Sequence, residues 1–304
     1  MTPGMKYLTR YAFFAAVISL FPEAALAGKI NASRTGSRIE VTIDNKLFTI
    51  YNFPDNEKYP FFFPVNGPLT GTTVTSMRNA LYPHHSSLFF GCDLVNGGNY
   101  WQEGLDRGRI ISVNARVEKE GGDTAVITDE CIWSRPGALS PLKDSRRYVI
   151  TAPCPERFLI DVEISLHALM DVNILKTNHS LFSVRVAHDL AVTNGGTMIN
   201  AEGASGEKET WGKRSAWLGF HGSRGNGVEG IAIIQHPSNP WYPSPWFTRD
   251  YGFMSPTPME WPENGKETSL KKGTTLLLRY RVVVHSGENA AELIAGEFGK
   301  FSSR

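Results

Sequence analysis

The chain has 304 residues, and its 31 lysines and arginines against 30 aspartates and glutamates give a formal net charge of +1. So even a balance argues against nucleic acid or an anionic membrane surface as partner. With 41% hydrophobic residues the chain is long enough to bury a large core without metal or disulfide staples.

Residues 1–27 read as a cleavable signal peptide. Lys6 and Arg10 make a basic start, residues 11–21 (YAFFAAVISLF) form an apolar run too short to span a bilayer, and Ala25-Leu26-Ala27 has the small-x-small pattern of a cleavage site. The mature chain, residues 28–304, is then expected in the periplasm or secreted. No later stretch is apolar enough for stable membrane insertion.

Strand signals recur from there to the end. Residues 38–43 alternate, with Ile39, Val41 and Ile43 on one face; further alternating runs span 123–133, 146–151, 181–189, 228–236 and 276–285. The longest, 158–166, puts Phe158, Ile160, Val162, Ile164 and Leu166 on one face and Leu159, Asp161, Glu163 and Ser165 on the other. Glycine-containing turns at 120–123, 135–137, 194–196 and 272–273 separate the runs. Only residues 288–300 carry helical spacing, through Leu293, Ile294 and Phe298, and they are expected to cap the end of a sheet. Without a βαβ rhythm, repeat or linker, this pattern predicts one all-β domain, a large antiparallel β-sandwich with a short C-terminal helix.

Cys92, Cys131 and Cys154 would meet an oxidising compartment if the chain is exported. Cys131 and Cys154, near the ends of neighbouring predicted strands, are placed to pair, and three unpaired thiols are the equal alternative. No cysteine has zinc-site spacing, and no nucleotide loop, nucleophile elbow or HExxH helix occurs, so no cofactor is expected.

Chemistry-bearing residues gather in two places. Residues 82–101 hold His84 and His85 with Asp93, Asn96 and Trp101; adjacent residues of a strand point to opposite sides, so one histidine is expected in a cleft and the other in a structural role. Residues 236–251 hold His236, Asn239, Trp246, Arg249 and Tyr251, a mixture of planar donors, acceptors and flat rings that suits a sugar. The stretch 239–262, rich in proline and aromatic residues, is expected as an ordered functional loop. Asp161 and Glu163, side by side on a strand, have the spacing of an acid–base pair, but salt pairing with Arg279 and Arg281 explains them better.

Seven blocks together resemble the bacterial family called PmoA-like, a domain of unknown function: YPFFFPVNGP (59–68), YPHHSSLFFGCDLVNGGNYW (82–101), LFSVRVA (181–187), EGASGEKETWGKRSAW (202–217), GIAIIQHPSNP (230–240), WFTRDYG (246–252) and LRYRVVVHSG (278–287). The label borrows the name of a methane monooxygenase subunit of several membrane spans, and methane oxidation is rejected because this chain has no such spans. The resemblance implies a secreted protein of polysaccharide-degrading bacteria with a supersandwich similar to that of galactose mutarotases. It adds His179 and Trp211 to the recurrent polar positions, beside those above and Arg185. This chain departs from the family pattern at Ser86, Phe247 and Thr257-Pro258-Met259, which points to a distinct substrate.

The expectation is a carbohydrate-active enzyme of hydrolase, lyase or epimerase type, acting on a sugar or oligosaccharide by histidine-assisted proton transfer in a concave cleft. His84 or His85 would transfer the proton with His236 opposite. Arg185 and Arg249 would bind hydroxyls, a carboxylate or an oxyanion, while Asn96 and Asn239 orient the ring and Trp101 or Trp246 stacks on it. Asp93, His179, Trp211 and Tyr251 would complete substrate binding. The alternatives are a non-catalytic glycan-binding protein and a metal site built from His84 or His85, Asp93 and His179 or His236.

Overall fold

The computed structural model describes Met1, residues 27–102 and residues 104–304. The predicted signal peptide therefore lies outside the described residues, apart from Met1 and Ala27. Two large antiparallel sheets dominate. In spatial order the first runs Gly121–Gly122, Ile30–Thr35, Arg38–Ile43, Lys46–Asn52, Phe61–Val65, Leu88–Cys92, Ser180–Arg185, Phe253–Pro256 and Trp246–Arg249. The second runs Thr197–Asn200, Trp217–Arg224, Gly227–Gln235, Thr275–Ser286, Arg157–Ala168, Leu142–Cys154, Thr124–Ser134 and Arg109–Ser112, with Arg116–Lys119 also pairing to Thr124–Ser134.

The predicted alternation decides which face of each strand is buried. Along Arg157–Ala168, Ile160, Val162, Ile164 and Leu166 enter the core between the sheets, while Leu159, Asp161 and Glu163 point out of it. Each such apolar side chain contributes roughly 1.5–3 kcal/mol on burial, so a slip of one residue, which would bury Asp161 and Glu163 instead, is strongly disfavoured. Aromatic contacts lock the two inner faces together: Phe182 stacks on Tyr280 at 5.0 Å and Phe62 meets Tyr148 edge-on at 4.9 Å.

Helix Ala290–Ser302 lies across the outer face of the second sheet, where Ile294 and Phe301 pack with Trp217, Ile234, Val283 and Leu159. It covers a face and does not cap a sheet end. Ion pairs tie it down. Arg281 joins Asp161 at 2.6 Å and Glu297 at 3.0 Å, and Arg157 reaches Glu297 at 2.6 Å. Glu163 pairs with Arg279 at 3.0 Å, so the acid–base spacing of Asp161 and Glu163 belongs to a salt-bridged sheet face.

Elsewhere the structure departs from the periodicity. The predicted run 181–189 ends as a strand at Arg185 and turns into the short 3-10 helix His188–Leu190. Within the expected loop 239–262, Phe253–Pro256 and the edge strand Trp246–Arg249 form the last two strands of the first sheet, which periodicity misses because most of their residues are buried on both faces. A second helix, Gly206–Thr210, escaped notice because five residues show no helical period. All three cysteines are free. Cys131 faces Asp144 across the strand pair, and Cys154 lies ten residues farther along that strand, roughly 30 Å away at strand rise, so the two thiols do not meet.

Candidate functional site

The register of the first sheet builds a second, smaller cluster on its outer face. Ser183 stands opposite Phe89 and Arg185 opposite Phe253, so these four share a face; Phe90, Phe182 and Val184 occupy the other, toward the second sheet. Tyr82–Ser86, paired to Met77–Asn79, crosses over that outer face and brings Tyr82, His84 and His85 onto it. Gly91 makes room for the segment that follows, since a Cβ there would stand 2.6 Å from the carbonyl oxygen of Tyr100. Ser87 connects the two strands at φ 60°, a left-handed conformation costing about 1–3 kcal/mol that is held by its Oγ donating to Thr75 Oγ1 and its carbonyl accepting from Arg185 N.

Four rings stack on one another, with Tyr251 also 6.3 Å from His85. The His85 imidazole lies between Phe253, at 4.4 Å, and Tyr82, at 5.1 Å, and Tyr251 stacks on Tyr82 at 4.3 Å. His84 meets His85 at 4.5 Å, so both histidines reach one cluster, contrary to the simple alternation; the strand pairing is irregular at this point. His85 is buried, its Nδ1 has no partner, and burial, helped by His84 and Arg185, pulls its pKa down to about 2. His84 is half-buried and is drawn down to about 4 by burial and by His179. Both rings are therefore neutral near pH 7, able to donate from one nitrogen and accept at the other.

His179 is 5.7 Å from His84 and 5.8 Å from Trp101, ring to ring. Its Nδ1 lies 3.1 Å from Asp93 Oδ2 and 3.2 Å from Gln102 Nε2. With the Asp93 carboxylate accepting a hydrogen bond from Nδ1–H, Nε2 is left as the basic nitrogen. Asp93 Oδ1 and Trp101 Nε1 are buried and have no partner. Arg185 is 7% exposed; its guanidinium stands over the rings of Tyr251, at 4.6 Å, and Tyr82, at 5.3 Å, with Nε and Nη1 unpartnered. Burial lowers its pKa, and the two tyrosines oppose that shift.

Seven of the sequence-predicted residues thus meet: His84, His85, Asp93, Trp101, His179, Arg185 and Tyr251. Arg249 and Trp211 lie alongside, reached through Phe247, which touches Phe253 at 5.9 Å. Arg249 is already engaged, paired to Glu207 at 2.6 Å and 3.8 Å above Trp211, so it is a poor free donor. Asn96 spends its amide on the backbone of residues 171–173, accepting from Asn173 N at 2.7 Å and donating to the Asp171 carbonyl at 3.0 Å. Trp246 faces the core, fully buried, with Nε1 donating to the Ser215 carbonyl at 2.9 Å; no face of it is open to stack on a sugar.

His236 and Asn239 stand elsewhere. His236 meets Phe301 of the C-terminal helix at 5.0 Å, on the outer face of the second sheet, and Asn239 bonds the backbone of Arg279 in both directions. Both sheets separate His236 from His85, so the expected opposing pair of histidines does not form. Three members of the cluster were not singled out from the sequence: Tyr82, Gln102 and Phe253. The spacing of Tyr251 and Phe253, two apart and hence on one side of an extended segment, was the available signal. Among the described residues, no group of three or more histidine, cysteine or carboxylate side chains is arranged to hold a metal ion.

Fold and site define an antiparallel, two-sheet β protein with a histidine, arginine and aromatic cluster on the outer face of one sheet. The chain belongs to the family of unknown function DUF6807, whose model matches residues 38–299. That family is described as of unknown function, as the seven blocks led one to expect, and its description does not include the PmoA-like label. No curated protein matches the chain. Among solved structures it is similar to a galactose mutarotase related enzyme from Lactobacillus acidophilus, at 10% identity over 86% of this chain and 98% of that one, with a TM-score of 0.24. A superposition at that score carries no argument about fold or function. No helix among the described residues is long and apolar enough to cross a membrane.

Proposed function

We propose that the chain is an exported, carbohydrate-active enzyme, periplasmic or secreted, whose site is the cluster on the outer face of the first sheet. The observation that carries this reading is the Asp93–His179 pair, its carboxylate buried and its imidazole 26% exposed, set among aromatic rings and unpartnered polar atoms, namely Asp93 Oδ1, Trp101 Nε1, His85 Nδ1 and the Arg185 guanidinium. Buried donors and acceptors without partners cost about 1–3 kcal/mol each, and a ligand rich in hydroxyls offers partners to those it reaches. Tyr82 and Tyr251, both partly exposed, supply aromatic surface against which a sugar ring can pack.

In this reading Asp93 orients His179 and stabilises its imidazolium, so that His179 Nε2 takes or returns the proton. His84, neutral and weakly basic, binds hydroxyls, and Arg185 donates to oxygen, while the buried His85 and Trp101 form the wall behind them. Hydrolysis, elimination and epimerisation all fit such a proton transfer.

A screen of oligosaccharides and oxidised sugars, followed by mass spectrometry, tests the proposal. Turnover by the wild type is expected to fall at least 100-fold in His179→Ala with binding largely kept. Asp93→Asn is expected to shift the pH–rate profile as well as lower kcat. Binding without turnover across the whole panel would replace the enzyme by a glycan-binding protein, and unaltered turnover in His179→Ala would remove the assigned base.

A further inference from the structure

Four arginines among the described residues are buried: Arg146, Arg185, Arg224 and Arg281. Three of them have carboxylates: Arg146 has Asp144, Arg224 has Asp189 and Glu229, and Arg281 has Asp161 and Glu297. Arg185 has none. The acidic groups of its neighbourhood are committed elsewhere, Asp93 to His179, Glu207 to Arg249, and Asp250 to the backbone N–H of Glu207. Its own backbone is satisfied, donating to Ser87 and accepting from Ser76, so only the guanidinium is left over. Two tyrosine rings partly offset the charge through their π-faces, yet they accept none of its N–H groups.

A buried cation without a counter-ion is costly in the empty protein, and the cost is recovered when an anion arrives. Its surroundings agree. His85 beside it is neutral, and the neighbouring rings of Tyr82 and Tyr251 bring no negative charge that would compete with an anion. Building on the carbohydrate reading above, we infer that Arg185 is the anion subsite of this cluster and that the ligand is an acidic sugar, a uronic acid residue whose carboxylate pairs with the Arg185 guanidinium. The planar carboxylate matches the planar guanidinium in a bidentate fork that a lysine would not reproduce.

Calorimetric titration of the full chain with three sets of oligosaccharides tests this: oligouronides built on galacturonate, glucuronate, mannuronate and guluronate, their carboxyl-reduced neutral counterparts, and sulfated neutral oligosaccharides. The wild type is expected to bind at least one oligouronide tenfold or more tighter than its neutral counterpart. In Arg185→Met that ratio is expected to fall to about one while Tm stays level or rises, because an unpaired buried charge has been removed; Arg185→Lys is expected to keep only part of the ratio. A merely structural arginine would give a lower Tm and an unchanged ratio, which overturns the inference. Equal affinity for charged and neutral sugars overturns it too and leaves the carbohydrate reading standing. Preference for sulfated over carboxylated sugars overturns the uronate assignment, and no binding by any set overturns both readings.

Discussion

Arg146 and Arg185 are both buried arginines beside aromatic rings, yet they sit in opposite circumstances. Arg146 lies between the sheets, 2.6 Å from Asp144, which also accepts from Trp133 Nε1 at 2.7 Å; Asp129 nearby accepts from Tyr51 and Ser112. Arg185 lies on the outer face of the first sheet with rings for company and, among the described residues, no carboxylate. The interior network pairs its charges, Arg146 with Asp144, leaving only Arg146 Nη1 among its guanidinium nitrogens without a partner, and serves the fold. The outer cluster is left open, which lowers stability and reserves the groups for something that arrives from solution.

The sharpest way to break the comparison is to open the interior network. Asp144→Ala leaves Arg146 buried without its partner and is expected to cost about 3–5 kcal/mol, read as a lower urea midpoint. A loss below about 1 kcal/mol, the range of an exposed pair, would show that the interior network is no more committed than the outer cluster.

Acid probes the buried imidazoles next. His85 and His285 are held near pKa 2 and 3, mainly by burial, so their folded forms refuse protons that the unfolded chain accepts below its ordinary value of about 6.5. Folded-state pKa values below the unfolded one mean that stability is full above about pH 6.5 and is lost as pH falls toward 3. From neutral to pH 5 the expected loss is roughly 2 kcal/mol for each ring, measured by urea denaturation at the two pH values. His285→Asn should shrink that difference; stability that rises on acidification would reverse the sign of the argument.

The smallest effect belongs to the rim. Arg279 and Glu163 are about one-third exposed, and Arg279→Gln is expected to cost less than about 1 kcal/mol. A loss as large as that of Asp144→Ala would erase the distinction between solvated and enclosed pairs.

Much of the sandwich was legible because side-chain alternation is a local property. The strand containing Ile160, Val162 and Ile164, the turn at Gly273 and the C-terminal helix follow from a few consecutive residues each. Strands buried on both faces, such as Trp246–Arg249, leave no alternation to read and passed for loop. The site divided in the same way: His84, His85, Asp93 and Trp101 cluster in sequence and in space, whereas Trp246 and Asn96 have the right chemistry but spend it on the fold.

By itself the sequence determined the class of fold, the faces of the long strands and the residue types available for chemistry, because each is set by neighbours along the chain. Only the tertiary structure decided which of those residues meet. Asp93 and His179, 86 residues apart, became a pair, while His236 was carried to the far side of the second sheet. It also decided that Arg185, unlike Arg146, Arg224 and Arg281, would be buried without a counter-ion. Whether a charge has a partner depends on sheet order and register, and those are fixed by the burial of the whole core.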